Sequence, residues 1–299
     1  MTVGVLVMAY GTPASPDDVE RYYTDIRRGR PPAPEQLADL QRRYDAIGGI
    51  SPLLEITRHQ CDRLAAALGP DYLVTLGQKH AAPFIEDGVA ELAAAGATTI
   101  VGLVLAPHYS AFSVGQYAAR LLAAATERKL AASTVDSWHL MPAYLAFLDR
   151  AVQAARAQLP EGAEVVFTAH SLPQRITESG DPYPAQVRET AETVATRRSI
   201  ARWSTGWQSA GRTPEPWLGP DILDVIRGRA AAGSVGLVVC ACGFTADHLE
   251  ILYDLDIEAT SLAAGLGVPF ARTASINDDA AVFAGLADVV RREAATLNA

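Results

Sequence analysis

"TTIVGLVLAP", residues 98–107, is apolar on almost every position, with no alternation of wet and dry residues. Successive side chains of a strand point to opposite faces. A strand apolar on consecutive positions is therefore expected where helices cover both faces of a parallel sheet. Six further short runs read as strands: 3–10, 72–80, 133–139, 164–170, 202–209 and 234–242. Between them lie longer Ala- and Leu-rich segments whose apolar residues recur at three and four, the helical period. Helices are predicted over 16–26, 34–46, 52–68, 83–95, 113–128, 142–158, 183–197, 220–232, 246–256 and 278–296. This alternation predicts an α/β protein of doubly wound, Rossmann-like design.

The run 98–128 (strand, "APHYSAFS", helix) is similar in order to 164–197 (strand, "AHSLPQ" loop, helix), which suggests two similar halves meeting near residue 140. The expected organisation is a first half over 1–140, a second over 141–277 and a cleft between them. A C-terminal helix, 278–299, is expected to pack back on the first half. Ligands of open parallel sheets sit outside the carboxyl ends of the strands. Here those ends carry Tyr10, His108, His170 and the "CGFTADHLE" turn that follows Val239.

Bulk properties narrow the function. The chain has 299 residues, 49% hydrophobic and 20% charged, as ordinary globular proteins do. No apolar run approaches the roughly 18 residues that span a bilayer. The start "MTVGVLVMAYGTP" lacks a basic signal region. A cytoplasmic location without a transmembrane segment is expected. A formal charge of −9 argues against a nucleic-acid binder and suits a cationic or metal substrate, although Arg27, Arg28 and Arg30 form a local anion-binding patch. The three cysteines, Cys61, Cys240 and Cys242, make no disulfide framework, and a C-x-C pair alone cannot close a zinc or iron–sulfur site.

Three segments carry chemistry. "VVFTAHSLPQR", 165–175, delivers His170 to the last position of a strand that Pro173 keeps from continuing. Ser171 beside it lacks the G-x-S-x-G elbow of a hydrolase. On a helix starting near Ala246, "ADHLEILYDLDIE" places Asp247, Glu250, Asp254 and Glu258 in one acidic stripe. Like charges so spaced repel by roughly 0.2–0.5 kcal/mol per pair on an exposed helix. A solvated face, or one visited by cations, are the two readings of that stripe. "ERYYTDIRRGRPP", 20–32, sets arginines beside aromatic rings, a combination suited to carboxylates or phosphates on a flat ligand. There is no H-E-x-x-H, no P-loop and no P-C-x-x-C after His248-Leu249-Glu250.

With these segments in hand, the chain resembles the ferrochelatases, which insert ferrous iron into a porphyrin. The resemblance runs through "LVMAYGTP" (6–13), "IRRGR" (26–30), "RYDAIGGISPL" (43–53), "GQKHAAPFIED" (77–87), "LAPHYSAFSVGQY" (105–117), "TAHSLP" (168–173), "GDPYPAQV" (180–187), "GWQSAGRTPEPWLGPD" (206–221) and "GFTADHLEILYDLDIE" (243–258). "CACGF" at 240–244 departs from the family, which often shows a proline there. The "MAYGTP" and "IRRGR" variants resemble the bacterial branch that metallates coproporphyrin III to coproheme. Protoporphyrin IX as substrate, cobalt insertion into sirohydrochlorin, and a non-catalytic porphyrin or haem carrier are the alternatives.

The resemblance implies a chelatase-like cleft and a lyase of haem biosynthesis. It gives His170 and Glu250 as the catalytic residues that hold iron, and places Tyr10 by the metal against the porphyrin. It assigns porphyrin contacts to Arg27, Arg43, Tyr44, Ser51 and Tyr117, and a metal or proton path to Asp247, Asp254 and Glu258. Ferrous iron is substrate, and no permanently bound cofactor is expected. The tail "RREAATLNA" has no cysteine, so no iron–sulfur cluster is implied. Porphyrin and iron are the expected partners, with transient contact to neighbouring haem-pathway enzymes and no nucleic acid.

Overall fold

Residues 3, 5 and 7 of the first strand pack into one hydrophobic cluster and residues 6 and 8 into another, so this strand is dry on both faces. The same division holds for Val165 and Phe167 against Val166 in the second half. That two-sided burial is what the unbroken apolar runs encode.

A computed structural model describes residues 2–211 and 213–297. Met1 and the last two residues of the expected 278–299 span lie outside the described residues. Strands β1 (Val3–Ala9), β2 (Tyr72–Gln78), β3 (Thr99–Val104) and β4 (Ala131–Val135) form a parallel sheet in the order β2-β1-β3-β4. Strands β5 (Glu164–His170), β6 (Trp203–Gln208), β7 (Leu237–Cys240) and β8 (Phe270–Arg272) form a second, β6-β5-β7-β8. The two orders are the same pattern. By sheet position the counterpart of β5 is β1, not β3, which corrects the pairing of 98–128 with 164–197. Every buried strand carries the same apolar signature, so the signature cannot say which strands correspond.

The helices of the first half are α1 (Val19–Ile26), α2 (Pro34–Ala46), α3 (Leu53–Leu68), α4 (Ile85–Ala94) and α5 (Val114–Glu127). Then come α6 (Pro142–Arg156), α7 (Tyr183–Arg197), α8 (Ile222–Ala231), α9 (Leu249–Leu252), α10 (Thr260–Gly265) and α11 (Ala280–Leu297). Helix α11 packs against α3, β3, β4 and α6. Its Val282, Phe283, Leu286 and Val290, with Tyr144, Leu145 and Leu148 of α6, belong to one cluster that includes residues of both sheets. The halves therefore share a core. Phe283 is 1% exposed, and truncating a phenylalanine so buried to alanine costs roughly 3–5 kcal/mol. No helix among the described residues is long and apolar enough to cross a membrane.

Three sequence expectations change. The strand expected over 133–139 spans Ala131–Val135, and Trp138 instead turns inward, its Nε1 donating to Val104 O at 3.1 Å. The strand β8 carried no sequence signal, being three half-buried residues long. The helix expected over 246–256 begins at Leu249, and its α-turns give way to a π-helical stretch, Asp254–Ala259.

Candidate functional site

His170 is the last residue of β5. Its Nδ1 lies 2.5 Å from Ser171 O and donates to that carbonyl, which turns Nε2 toward the cleft. Nε2 faces Glu250 Oε1 at 3.6 Å. Tyr183 Oη donates to His170 O at 2.9 Å and fixes the strand end. The neighbouring Ser171 hydroxyl is spent on Leu218 O at 2.8 Å, which removes the hydrolase alternative on geometric grounds.

Glu250 arrives from far along the chain because Gly243 lets the loop after β7 cross β5. Gly243 N donates to Thr168 O at 3.0 Å, and a Cβ there would stand 2.4 Å from that of Ala169. Any larger residue would lift the loop, and Glu250 with it. Gln208, ending β6, accepts from Thr168 Oγ1 at 2.6 Å and donates to Glu250 O at 3.2 Å. Burial alone would raise the Glu250 carboxyl. The His170 charge, followed by His248, outweighs it and holds the group at about 2. Glu250 Oε2 is buried with no hydrogen-bond partner among the described residues, and His248 Nε2 stands 3.8 Å away.

Beyond Glu250 the helix changes register. Tyr253 O accepts from both Ile257 N (3.2 Å) and Glu258 N (2.9 Å), the step from i+4 to i+5 bonding. Asp254 accepts from Ser209 Oγ at 2.6 Å and meets Arg43 Nη1 at 3.6 Å. Burial first, then the Glu250 charge, raises Asp254 to about 7, and Glu258 adds to the shift. Glu250, Asp254 and Glu258 thus form the stripe.

Asp247 does not belong to it. The chain enters the helix only after Asp247, whose backbone N–H is held by Asn277 Oδ1 at 2.8 Å. Its carboxylate turns to Arg272, Ser275 and Asn277 at 3.1, 2.8 and 3.0 Å. Within the stripe Arg43 of another element meets Asp254, and outside it Arg272 neutralises Asp247, pairings that spacing along one helix cannot show.

Across the cleft, β1 is followed by Tyr10, 42% exposed, and then by Gly11 in a left-handed conformation (φ +95°). The His80 ring lies 4.6 Å from that of Tyr10, with His80 Nδ1 2.7 Å from Asp25. Lys79 Nζ stands 5.8 Å over Tyr10 and 5.2 Å over Tyr117, and donates to Gln116 Oε1 at 2.7 Å. Burial, with Arg120 and Arg28 nearby, lowers Lys79 to about 8. Burial raises the hydroxyls of Tyr22 and Tyr44, the latter to about 12, and the Glu250 charge adds to both and also raises Tyr10. The carboxylate of the second sheet therefore faces the tyrosines of the first.

The surroundings of the remaining expected residues are as follows. Arg27 follows α1, its guanidinium 5.7 Å over Tyr23 and its Nε buried with no hydrogen-bond partner among the described residues. Arg43 on α2 lies 4.9 Å over Tyr253, is bonded by Asp39 at 3.2 Å and reaches Asp254. Tyr44 is buried, its hydroxyl 3.5 Å from Thr12 Oγ1. Ser51 is buried and accepts from Leu53 N at 3.2 Å, at the start of α3. Tyr117 is buried beneath Lys79.

Sequence reasoning missed Tyr22, Lys79, His80, Gln208 and Ser209. The signal available was position: each pair after the first stands at the carboxyl end of its strand, β2 or β6, where ligands bind. His108, by contrast, is fully enclosed, with Nε2 2.9 Å from Thr190 Oγ1, and does not reach the cleft. Cys240 and Cys242 are buried thiols, and burial pushes Cys240 up to about 12, far from a thiolate ligand.

A nitrogen and an oxygen donor without thiolates bind first-row divalent ions while leaving coordination positions open. Known proteins agree with that chemistry. The family model described as Ferrochelatase matches residues 2–294. The chain is 45% identical over 302 residues to the coproporphyrin III ferrochelatase of Geobacillus kaustophilus (strain HTA426), covering 97% of this chain and 95% of that one. It is 43% identical over 302 residues to the coproporphyrin III ferrochelatase of Bacillus subtilis (strain 168), covering 97% of each. Among solved structures, the fold is similar to that of the cobalt complex of the sirohydrochlorin chelatase SirB from Bacillus subtilis subspecies spizizenii, with a TM-score of 0.58 at 14% identity over 98% of this chain and 95% of that one. It is also similar to CbiX, with a TM-score of 0.54 at 15% identity over 98% and 99%. Those two share the two-sheet fold. The match along nearly the whole length, at an identity of 43–45% to the relatives named, means that this chain belongs to the ferrochelatase family.

Proposed function

We propose that the chain inserts ferrous iron into coproporphyrin III, giving Fe-coproporphyrin III and two protons, with iron as substrate and no retained cofactor. The observation that carries this is the pair at 3.6 Å, the His170 Nε2 facing the ionised carboxylate of Glu250. The two side chains hold the ion too loosely to keep it from four pyrrole nitrogens. As iron enters, each of two pyrrole N–H groups must lose a proton, and His170 Nε2 can accept one. Asp254, near 7, both takes and releases protons at neutral pH and passes them toward Glu258. Arg27, at the end of α1, offers its guanidinium to a porphyrin carboxylate. The hydroxyls of Tyr44, Ser51 and Tyr117 and the Arg43 fork contribute further contacts, and Tyr10 approaches the metal from the opposite side. In this proposal the reaction runs in the cytoplasm, and the product leaves by transient contact with the next haem-pathway enzyme.

Anaerobic incubation with ferrous iron and metal-free coproporphyrin III, and separately protoporphyrin IX, followed by absorption spectroscopy, tests the proposal. Conversion of the free-porphyrin bands to those of the iron complex, faster for coproporphyrin III, is expected. Preference for protoporphyrin IX would reassign the substrate, and tetrapyrrole binding without metal insertion would mark a carrier.

A further inference from the structure

Arg272 sits on β8, far from His170 in sequence, yet on the same rung of the sheet as Val239 and Val166 of the strand that His170 ends. Its side chain is 17% exposed and fully engaged. Nε and Nη2 donate to the two oxygens of Asp256 at 2.6 and 2.8 Å, while Nη1 reaches Asp247 at 3.1 Å and Thr273 O at 3.1 Å. Asp247 lies two residues before the helix that carries Glu250. Asp256 lies two positions beyond Asp254 and points the other way, 37% exposed where Asp254 is 12%. One guanidinium therefore grips the acidic segment at both ends and from behind.

We infer that Arg272 is a positioning residue for iron transfer: anchored to the rigid second sheet, it fixes Glu250 and Asp254 relative to His170 by clamping Asp247 and Asp256. This rests on the proposed role of Glu250 in receiving iron. The geometry requires arginine, because the planar fork supplies two parallel bonds to Asp256 and a third arm to Asp247, whereas a lysine ammonium is a single point charge. Released at either end, the stretch in which Tyr253 O serves two N–H donors is free to return to regular α-helical bonding. That turn rotates Asp254 and Glu258 about the axis relative to Glu250. Charge balance alone works in the opposite direction: without the arginine, Asp247 and Asp256 are unneutralised and the region attracts cations more strongly.

The test compares Arg272→Met, Arg272→Lys and Asp256→Asn with the unsubstituted chain, and uses Glu250→Gln as reference. Steady-state kinetics under anaerobic conditions give kcat and the KM for ferrous iron. Fluorescence titration gives the Kd for coproporphyrin III, and thermal melting gives the folded fraction. Arg272→Met is expected to raise the iron KM and lower kcat/KM for iron about 10- to 100-fold, the usual range for a lost outer-shell partner, with the porphyrin Kd unchanged. Arg272→Lys should not restore it, and Asp256→Asn, an exposed change that spares the arginine, should reproduce the loss in part. An iron KM that falls, or a kcat/KM per folded molecule that stays at the unsubstituted value in both Arg272→Met and Asp256→Asn, overturns the clamp. Should Glu250→Gln itself retain the iron KM and kcat, the role of Glu250 fails instead, which separates the two outcomes.

Discussion

At the carboxyl end of β1 stands Tyr10, with Lys79 Nζ 5.8 Å over its ring; at the carboxyl end of β5, in the same place of an identically ordered sheet, stands His170, 3.6 Å from Glu250. One wall of the cleft is built of phenols, a lysine with a lowered pKa and arginines, the other of an imidazole and ionised or readily ionised carboxylates. The repeated sheet only supplies two opposed ledges, and the segments after each strand decide which ledge meets an anion and which a cation. A flat tetracarboxylate and a divalent ion ask for opposite partners, and the cleft presents them face to face.

The largest break in that comparison is expected from His170→Ala. Removing the imidazole should lower insertion by about 100-fold or more, the range for a positioned acid–base group, while fluorescence titration shows coproporphyrin III still bound. Unchanged turnover would mean that the second wall does not handle metal or protons. A smaller effect is expected on the other wall. Arg27→Ala removes a charged donor worth roughly 1.5–3 kcal/mol, so the porphyrin Kd should weaken by about tenfold or more with the iron KM intact. A changed iron response without a porphyrin effect would contradict the division of labour.

The smallest effect concerns the one strand-end histidine that stands outside the cleft, and it is read in stability, not activity. Burial, with the His139 charge adding, lowers His108 to about 3, below the ordinary value of 6.5. Between those two pH values the unfolded chain binds the proton and the folded chain does not. This contribution is therefore complete above about 6.5 and is lost as pH falls, at up to about 1.4 kcal/mol per pH unit. His108→Gln should flatten the acid limb of a denaturation series below pH 6.5 and leave insertion at neutral pH unchanged. An acid limb identical to that of the unsubstituted chain would show that His108 is protonated in the fold.

Much of this was legible in the residues themselves. The strands were visible because two-sided burial forces unbroken apolar runs, and His170 was visible because such a run ends on an imidazole before Pro173. What stayed hidden depends on partners distant in the chain. The late helix start is set by Asn277 and the holding of Asp247 by Arg272, so the spacing that put Asp247 in the stripe assumed a helix the tertiary contacts forbid. Lys79 reads as a surface lysine until the register of β2 beside β1 brings it over Tyr10. The strand β8 is too short and too half-buried to announce itself, yet it carries Arg272.

The most direct test is anaerobic equilibrium dialysis of ferrous iron, without porphyrin, against the unsubstituted chain, His170→Ala, Glu250→Gln and the double variant. If both side chains grip one ion, each single change should abolish most of the site's affinity and the double change should add little, a strong departure from additivity. Losses that simply sum, or single variants that bind iron as the unsubstituted chain does, would show that His170 and Glu250 do not share it.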